Sequence, residues 1–298
     1  MTEIERAKTA AREIGARIIV GAGGGKVLDT ARAVASDLML PVVNCPTIAS
    51  SDAPCSALSV VYTEEGVFEQ YRVYARNPDL VLVDTEVIAK SPPRFLAAGM
   101  GDALATWFEA KVCARGGVKN MRGGASTLSA LALAELCYRT LLADGSGALE
   151  AVAIQQVTPA LERVVEANTL LSGLGFESSG LAAAHAVHNG LTTAAATHQY
   201  MHGEKVAFGV IVPLMLESQP GPVVNEVMAF STSIGLPVTF AGIGLQAPGT
   251  EVLCQIARRA TAPGETIHNE PFSVSSECVV EALWAANAAG ERFQRSRN

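Results

Sequence analysis

Four of the five histidines in this 298-residue chain fall between positions 185 and 202. His185 and His188 stand three apart in AAAHAVHNG, a spacing that puts both on one face of a helix. His198 and His202 follow in HQYMHGEKVAFG, with His202 directly before Gly203-Glu204 and the start of another helix. Asp102 stands in AAGMGDALATWFEA, where Gly99 and Gly101 are expected to break the segment and Asp102 to open a helix. One carboxylate and two imidazoles from separate helices make a sound donor set for a catalytic divalent cation. Zinc that does chemistry typically takes three protein ligands and keeps one position open. Plainer readings use the same residues. An aspartate at a helix start is a common N-cap, and a single histidine is more often a hydrogen-bonded core or surface residue. The clustering favours a metal site without telling which histidines are ligands.

A second kind of chemistry is written in Gly21-Ala22-Gly23-Gly24-Gly25-Lys26. The β-branched run Arg17 to Val20 leads into it, and helical spacing returns from Val27 to Met39. A glycine-rich turn between strand and helix can present backbone N–H groups and the positive end of the helix to a phosphate. The spacing is neither GxGxxG nor a P-loop, and a simple tight turn would also use glycines. Three consecutive glycines favour close approach by a pyrophosphate. After the next short strand, Pro41 to Asn44, comes a second loop, Thr47-Ile48-Ala49-Ser50-Ser51-Asp52. Ligands of open α/β sheets bind outside the carboxyl ends of the strands. Thr47, Ser50 and Ser56 offer hydroxyls at that edge, and Asp52 a carboxylate for sugar or substrate hydroxyls. A solvated serine-rich turn reads the same way.

The elements that must position these groups change character at Ser91-Pro92-Pro93. Before it lie a helix over Glu3 to Gly15, the two strands, a hairpin of Val60–Thr63 and Val67–Tyr74 turning at Glu64-Glu65-Gly66, and a buried-type strand Leu80–Val83 closed by Asp84. After it strand signals nearly vanish. Helices are expected near 93–115, 123–141, 147–174, 179–194, 203–218, 222–234, 251–261 and 276–292. The division is therefore an α/β part, 1–91, and a helical part, 92–298.

Composition narrows the function. With a net charge of −7 and no basic run, the chain is a poor partner for nucleic acid. No apolar stretch approaches the roughly 20 residues that span a bilayer, and MTEIERAK is no secretion signal. Cys45, Cys55, Cys113, Cys137, Cys254 and Cys278 are scattered without a CxxC pair, which fits free thiols in a reducing cytoplasm.

Taken together, GAGGGKVLDTARAVA, PTIASSDAPCSALSVVYT, GMGDALATWFEA, GLAAAHAVHNGLT and HGEKVAFGVIVPL resemble the glycerol dehydrogenases, within the iron-containing alcohol dehydrogenase and dehydroquinate synthase-like superfamily. The late motif GETIHNEPF also fits, and the likeness runs along almost the whole chain in the family's order. The resemblance implies an α/β nucleotide-binding domain with a Rossmann-like parallel sheet, followed by an all-α metal-binding domain. It implies NAD and zinc as cofactors. Gly25 and Lys26, with Gly23 and Gly24, would line the NAD pyrophosphate, and Thr47, Ser50, Ser56, Leu58 and Tyr62 would surround the cofactor. Asp52 would contact the polyol, and Asp102, His185 and His202 would be the metal ligands. Related iron enzymes carry a further histidine one turn after the aspartate; here Thr106 stands there, in keeping with a three-ligand zinc site. His188 and His198 become neighbours, with His188 available as a proton relay. The implied reaction is NAD-dependent oxidation of glycerol or a related vicinal diol to a hydroxyketone, the metal polarising the substrate hydroxyls. A small polyol substrate, a cytoplasmic setting and a homo-oligomer complete the expectation.

The family pattern also carries a strand–helix–strand stretch upstream, on the order of 60 residues, with an acidic residue near the adenosine ribose. The expectation is a form short at its N-terminus, with an incomplete sheet. Two other readings stay open: a dehydrogenase for another polyol, and a catalytically weak member that serves as a binding or oligomer-forming subunit.

Overall fold

The computed structural model describes residues 2–62 and 68–297, with side chains at 3–60 and 71–297. Helix α1 spans Thr2–Glu13, strand β1 Ile19–Gly23, α2 Gly25–Leu38 and β2 Val42–Pro46. A hairpin follows, β3 Leu58–Tyr62 and β4 Phe68–Val73, and then β5 Leu80–Val81. The expected turn at Glu64-Glu65-Gly66 lies outside the described residues. Strands β1, β2 and β5 form a parallel three-stranded sheet in that order, with Ile19 opposite Val42 and Val43 opposite Leu80. The antiparallel hairpin is a separate two-stranded sheet.

Helix α2 starts directly after the glycine turn because nothing larger fits the junction. A Cβ on Gly21 would meet Ala31 Cβ at 2.6 Å, and one on Gly23 would meet Val27 at 2.9 Å. Real Cβ atoms do not approach that closely, so the glycines let strand and helix pack tightly. Ala31 and Ala35 then press on Val42 and Ile19, covering one face of the sheet.

The remainder is helical, apart from one isolated bridge between Lys119 and Ala125 among the described residues. After the short α3, Thr85–Ala89, whose N-terminus is capped by Asp84, come α4 Pro93–Gly116, α5 Leu128–Ala153, α6 Pro159–Glu166, α7 Ser172–Ser179, α8 Ala183–Leu191, α9 His202–Leu216, α10 Gly221–Ser233, α11 Thr250–Ala260 and α12 Ser276–Arg295. A π-helical turn, Ala167–Leu171, joins α6 to α7. One large apolar core, with Leu104, Phe208, Ile211 and Leu283 in its middle, binds these helices together. None of the helices among the described residues is long and apolar enough to cross a membrane, and all six cysteines are free.

Three sequence expectations need correction. Gly99 and Gly101 do not break a segment: α4 runs uninterrupted through both, and Asp102 lies in mid-helix rather than at an N-cap. A Cβ on Gly99 would stand 1.9 Å from Ala49 O, and one on Gly101 2.4 Å from Gly203 O. These glycines serve close packing. The helix expected over 123–141 instead runs Leu128–Ala153, passing through Gly145, whose Cβ would press on Phe230 at 2.9 Å. The helix expected over 147–174 is accordingly displaced, opening at Pro159 behind the Thr158 cap and reaching Ser179 through the π turn.

Candidate metal and cofactor site

Backbone contact between α4 and α9 builds the site. A Cβ on Gly203 would lie 1.8 Å from Ala98 O, so the first turn of α9 rests directly on α4 and delivers His202 to Asp102. Asp102 Oδ1 lies 2.9 Å from His202 Nε2 and 3.5 Å from His185 Nε2. One donor atom from each residue falls within 4.8 Å of the others. Two ligands about 2.1 Å from a tetrahedral zinc stand roughly 3.4 Å apart, so this donor set fits such an ion with little adjustment. Asp102 and His185 are buried; His202 is partly open.

Each donor is held from behind. Glu109, two turns after Asp102 on α4, accepts from His185 Nδ1 at 2.6 Å and from the amides of Ala182 and His185 at 2.8 and 3.0 Å. A carboxylate behind a ligating imidazole fixes its tautomer and raises its basicity. Burial works against a charge on His185, but Glu109 and Asp102 outweigh it and raise its pKa well above the usual imidazole range. Burial likewise pushes the Asp102 carboxyl up, yet His202 and His185 prevail and hold it well below the usual carboxylate range. The pocket thus favours positive charge beside Asp102.

Asp52 joins the same site. Its amide donates to Asp102 Oδ2 at 3.1 Å, and Ser172 Oγ donates to Asp52 Oδ2 at 3.0 Å. Ser172 is in turn 2.8 Å from Thr106 Oγ1. Thr106 therefore holds the hydroxyl that holds Asp52. Burial first, and then the charge of Asp102, push the Asp52 carboxyl well above its ordinary value.

The remaining expected residues divide. Gly23, Gly24 and Gly25 are half-buried at the end of β1, Lys26 is exposed, and a Cβ on Gly25 would meet nothing within 4 Å. Thr47 is exposed and Ser50 half-buried on the neighbouring loop. Ser56 instead points inward: its hydroxyl donates to Ala53 O at 3.3 Å and lies 3.4 Å from Arg32 Nη1. Leu58 packs inside against Phe176 and Leu181. The Tyr62 side chain lies outside the described residues. His198 is turned to Thr192 O at 2.8 Å, away from the donor set. His188 stands behind His202, its Nε2 3.0 Å from His202 Nδ1 and its Nδ1 3.1 Å from Asn189 Oδ1. Both ring nitrogens are engaged, so it bears on His202 and not on solvent.

Residues 1–85 match the family model for iron-containing alcohol dehydrogenase. Over 273 residues the chain is 58% identical to a glycerol dehydrogenase of Thermotoga maritima, covering 92% of this chain and 75% of the relative. The chain belongs to the glycerol dehydrogenase family. A glycolaldehyde reductase of Halobacterium salinarum is 52% identical over 292 residues, covering 98% of this chain and 80% of the relative. The crystal structure of glycerol dehydrogenase from Schizosaccharomyces pombe matches at a TM-score of 0.97 and 38% identity, over 100% of this chain and 75% of that one. The family likeness thus extends over both the α/β and the helical parts of the fold, and it includes the loop that carries Asp52 and the start of α9 that carries His202.

Glu109, Ser172 and Asn189 were not singled out from the sequence. Glu109 carried a signal, since Asp102 and Glu109 are seven apart and share a helix face. Ser172 carried none, because its contact with Asp52 spans 120 residues.

Proposed function

We propose that this family member is an oxidoreductase that uses NAD and zinc to oxidise glycerol, or a related vicinal diol, to a hydroxyketone such as dihydroxyacetone. The observation that carries the reading is the meeting of Asp102, His185 and His202 from three helices, with Asp52 tied to the same carboxylate. Those three residues would hold the ion. When bound, the metal would supply Lewis-acid polarisation of a substrate hydroxyl, and the nicotinamide would supply the hydride acceptor. The chain's own groups do the rest. Asp52 accepts a hydrogen bond from a substrate hydroxyl, and Ser172 keeps it aimed. The amides of Gly24 and Gly25, with Lys26, receive the pyrophosphate at the start of α2, flanked by Thr47 and Ser50. Ser56 braces the end of that loop through Ala53 O, while Leu58 packs away from it against Phe176 and Leu181. Under this reading residues 1–91 form the cofactor domain and 92–298 the metal and substrate domain. The six free thiols suit a reducing cytoplasm, and the chain works as a homo-oligomer.

Steady-state kinetics test the reading. NADH should form from glycerol and NAD; a chelator should stop it and zinc restore it. Asp52→Asn should lower kcat/KM for glycerol by roughly 10- to 150-fold, the equivalent of a charged hydrogen bond of about 1.5–3 kcal/mol, while NADH affinity holds. Full turnover by metal-free protein would sink the zinc assignment. The likeness to a glycolaldehyde reductase supports a second reading, in which the same site reduces a small hydroxyaldehyde. Glycolaldehyde with NADH, run beside glycerol with NAD, separates the two. Zinc binding without turnover of either would favour the binding-subunit reading.

A further inference from the structure

His202 has a line of support that ends far from the metal site. Its Nε2 faces Asp102 Oδ1, and its Nδ1 is 3.0 Å from His188 Nε2. His188 Nδ1 is 3.1 Å from Asn189 Oδ1, and Asn189 Nδ2 donates to Glu265 Oε2 at 3.0 Å. The other oxygen of Glu265 pairs with Arg259. A carboxylate paired with a guanidinium only accepts hydrogen bonds, so the donor and acceptor roles are set from the far end. Asn189 must turn its NH2 to Glu265 and its oxygen to His188. His188 must carry its proton on Nδ1 and accept on Nε2. His202 must then donate from Nδ1, which leaves Nε2 as a lone-pair donor facing Asp102.

We propose that Glu265, acting through Asn189 and His188, is a positioning residue that fixes the tautomer and orientation of His202 as a metal ligand. This rests on the reading of Asp102, His185 and His202 as a metal site. It also gives a role to GETIHNEPF, a motif the reaction itself leaves unexplained. The same segment grips the start of α8, where Thr266 Oγ1 donates to Ala182 O at 2.7 Å and Asn269 Nδ2 to Leu181 O at 2.7 Å. Both imidazole ligands are then backed by a carboxylate, His185 directly by Glu109 and His202 at three removes by Glu265. Outer-shell partners of this kind are worth 10- to 100-fold in metal affinity when they touch the ligand; a partner at three removes belongs at the low end.

Two measurements on the zinc-loaded protein test this. In a long-range 1H–15N spectrum of the unaltered chain, His188 and His202 should both be Nδ1–H tautomers, the less common form of a free imidazole. Competition with a chromophoric zinc chelator should show about tenfold weaker binding in Glu265→Met, and a smaller loss in Glu265→Gln, whose amide oxygen still accepts from Asn189. An Nε2–H tautomer on His188, or unaltered zinc affinity in Glu265→Met, overturns the proposal. The tautomer result stands even where a variant fails to fold. Zinc binding indifferent to His202→Ala would instead overturn the metal reading beneath it.

Discussion

At the scale of single residues, burial decides which acids are at ease. Asp102, Glu109 and Glu265 are all enclosed, and each meets imidazole, amide or guanidinium partners. Glu270 is the exception. It is 6% exposed, and neither carboxyl oxygen has a hydrogen-bond partner, although the Ala183 amide lies near enough to favour the charge somewhat. Burial, with Glu217 and Glu109 nearby, pushes its pKa up to about 8 from an ordinary 4.5. A carboxyl with a higher pKa folded than unfolded costs the fold progressively as pH rises between the two values, and nothing further above the folded one. Glu270→Gln should therefore match the parent near pH 4.5 and gain on it as pH rises. The gain should level off above about pH 8 at roughly 1–3 kcal/mol, less than the full shift at 1.4 kcal/mol per unit because some solvent remains. Thermal melts of both proteins from pH 5 to 9 measure this, and parallel curves would contradict it.

At the scale of elements, legibility depended on whether the cause of a feature lay nearby in the chain. The strand–glycine–helix unit was readable because β1, its glycines and α2 are contiguous. The donor set was readable in part, because histidines are scarce here and cluster. The break expected at Gly99 and Gly101 within α4, and the extent of α5, were misread because a glycine inside a helix looks like a breaker, and the partner that requires it is remote. Gly99 answers to Ala49, Gly145 to Phe230 and Gly203 to Ala98. Ser172 was invisible for the same reason, its place set by the π turn that precedes α7. The α4–α9 contact makes this testable. Gly203→Ala must push apart two backbones already touching, which should cost about 3 kcal/mol or more and lower zinc affinity by separating Asp102 from His202. Gly221→Ala, at the exposed start of α10 with nothing within 4 Å of the added carbon, should change stability by less than about 1 kcal/mol. Urea midpoints of the two variants compare them directly, and equal midpoints would refute the packing argument.

At the scale of the whole molecule, the described residues cover the parallel sheet on one side only. Helix α2 lies over the face that carries Ile19 and Val42. On the other face Val20, Val43 and Leu80 are in register across the three strands. Val20 is 58% exposed, Leu80 51% and Leu82 58%, with Ile18 beside them at 49%. Parallel sheets in α/β proteins are normally covered on both faces, and a contiguous apolar patch invites association. Nothing in the rest of the fold requires these side chains, since none belongs to the large helical core. Replacing Val20 and Leu82 together by threonine puts a β-branched residue that suits a strand at both positions and removes apolar surface from water without opening a cavity. The double variant should bind less of a hydrophobic dye such as anilinonaphthalene sulfonate and self-associate less in sedimentation velocity. Its unfolding free energy should stay within about 1 kcal/mol of the parent's, as for other exposed substitutions. Unchanged dye binding together with a large loss of stability would mean that this face is covered in solution, and that these side chains belong to a core.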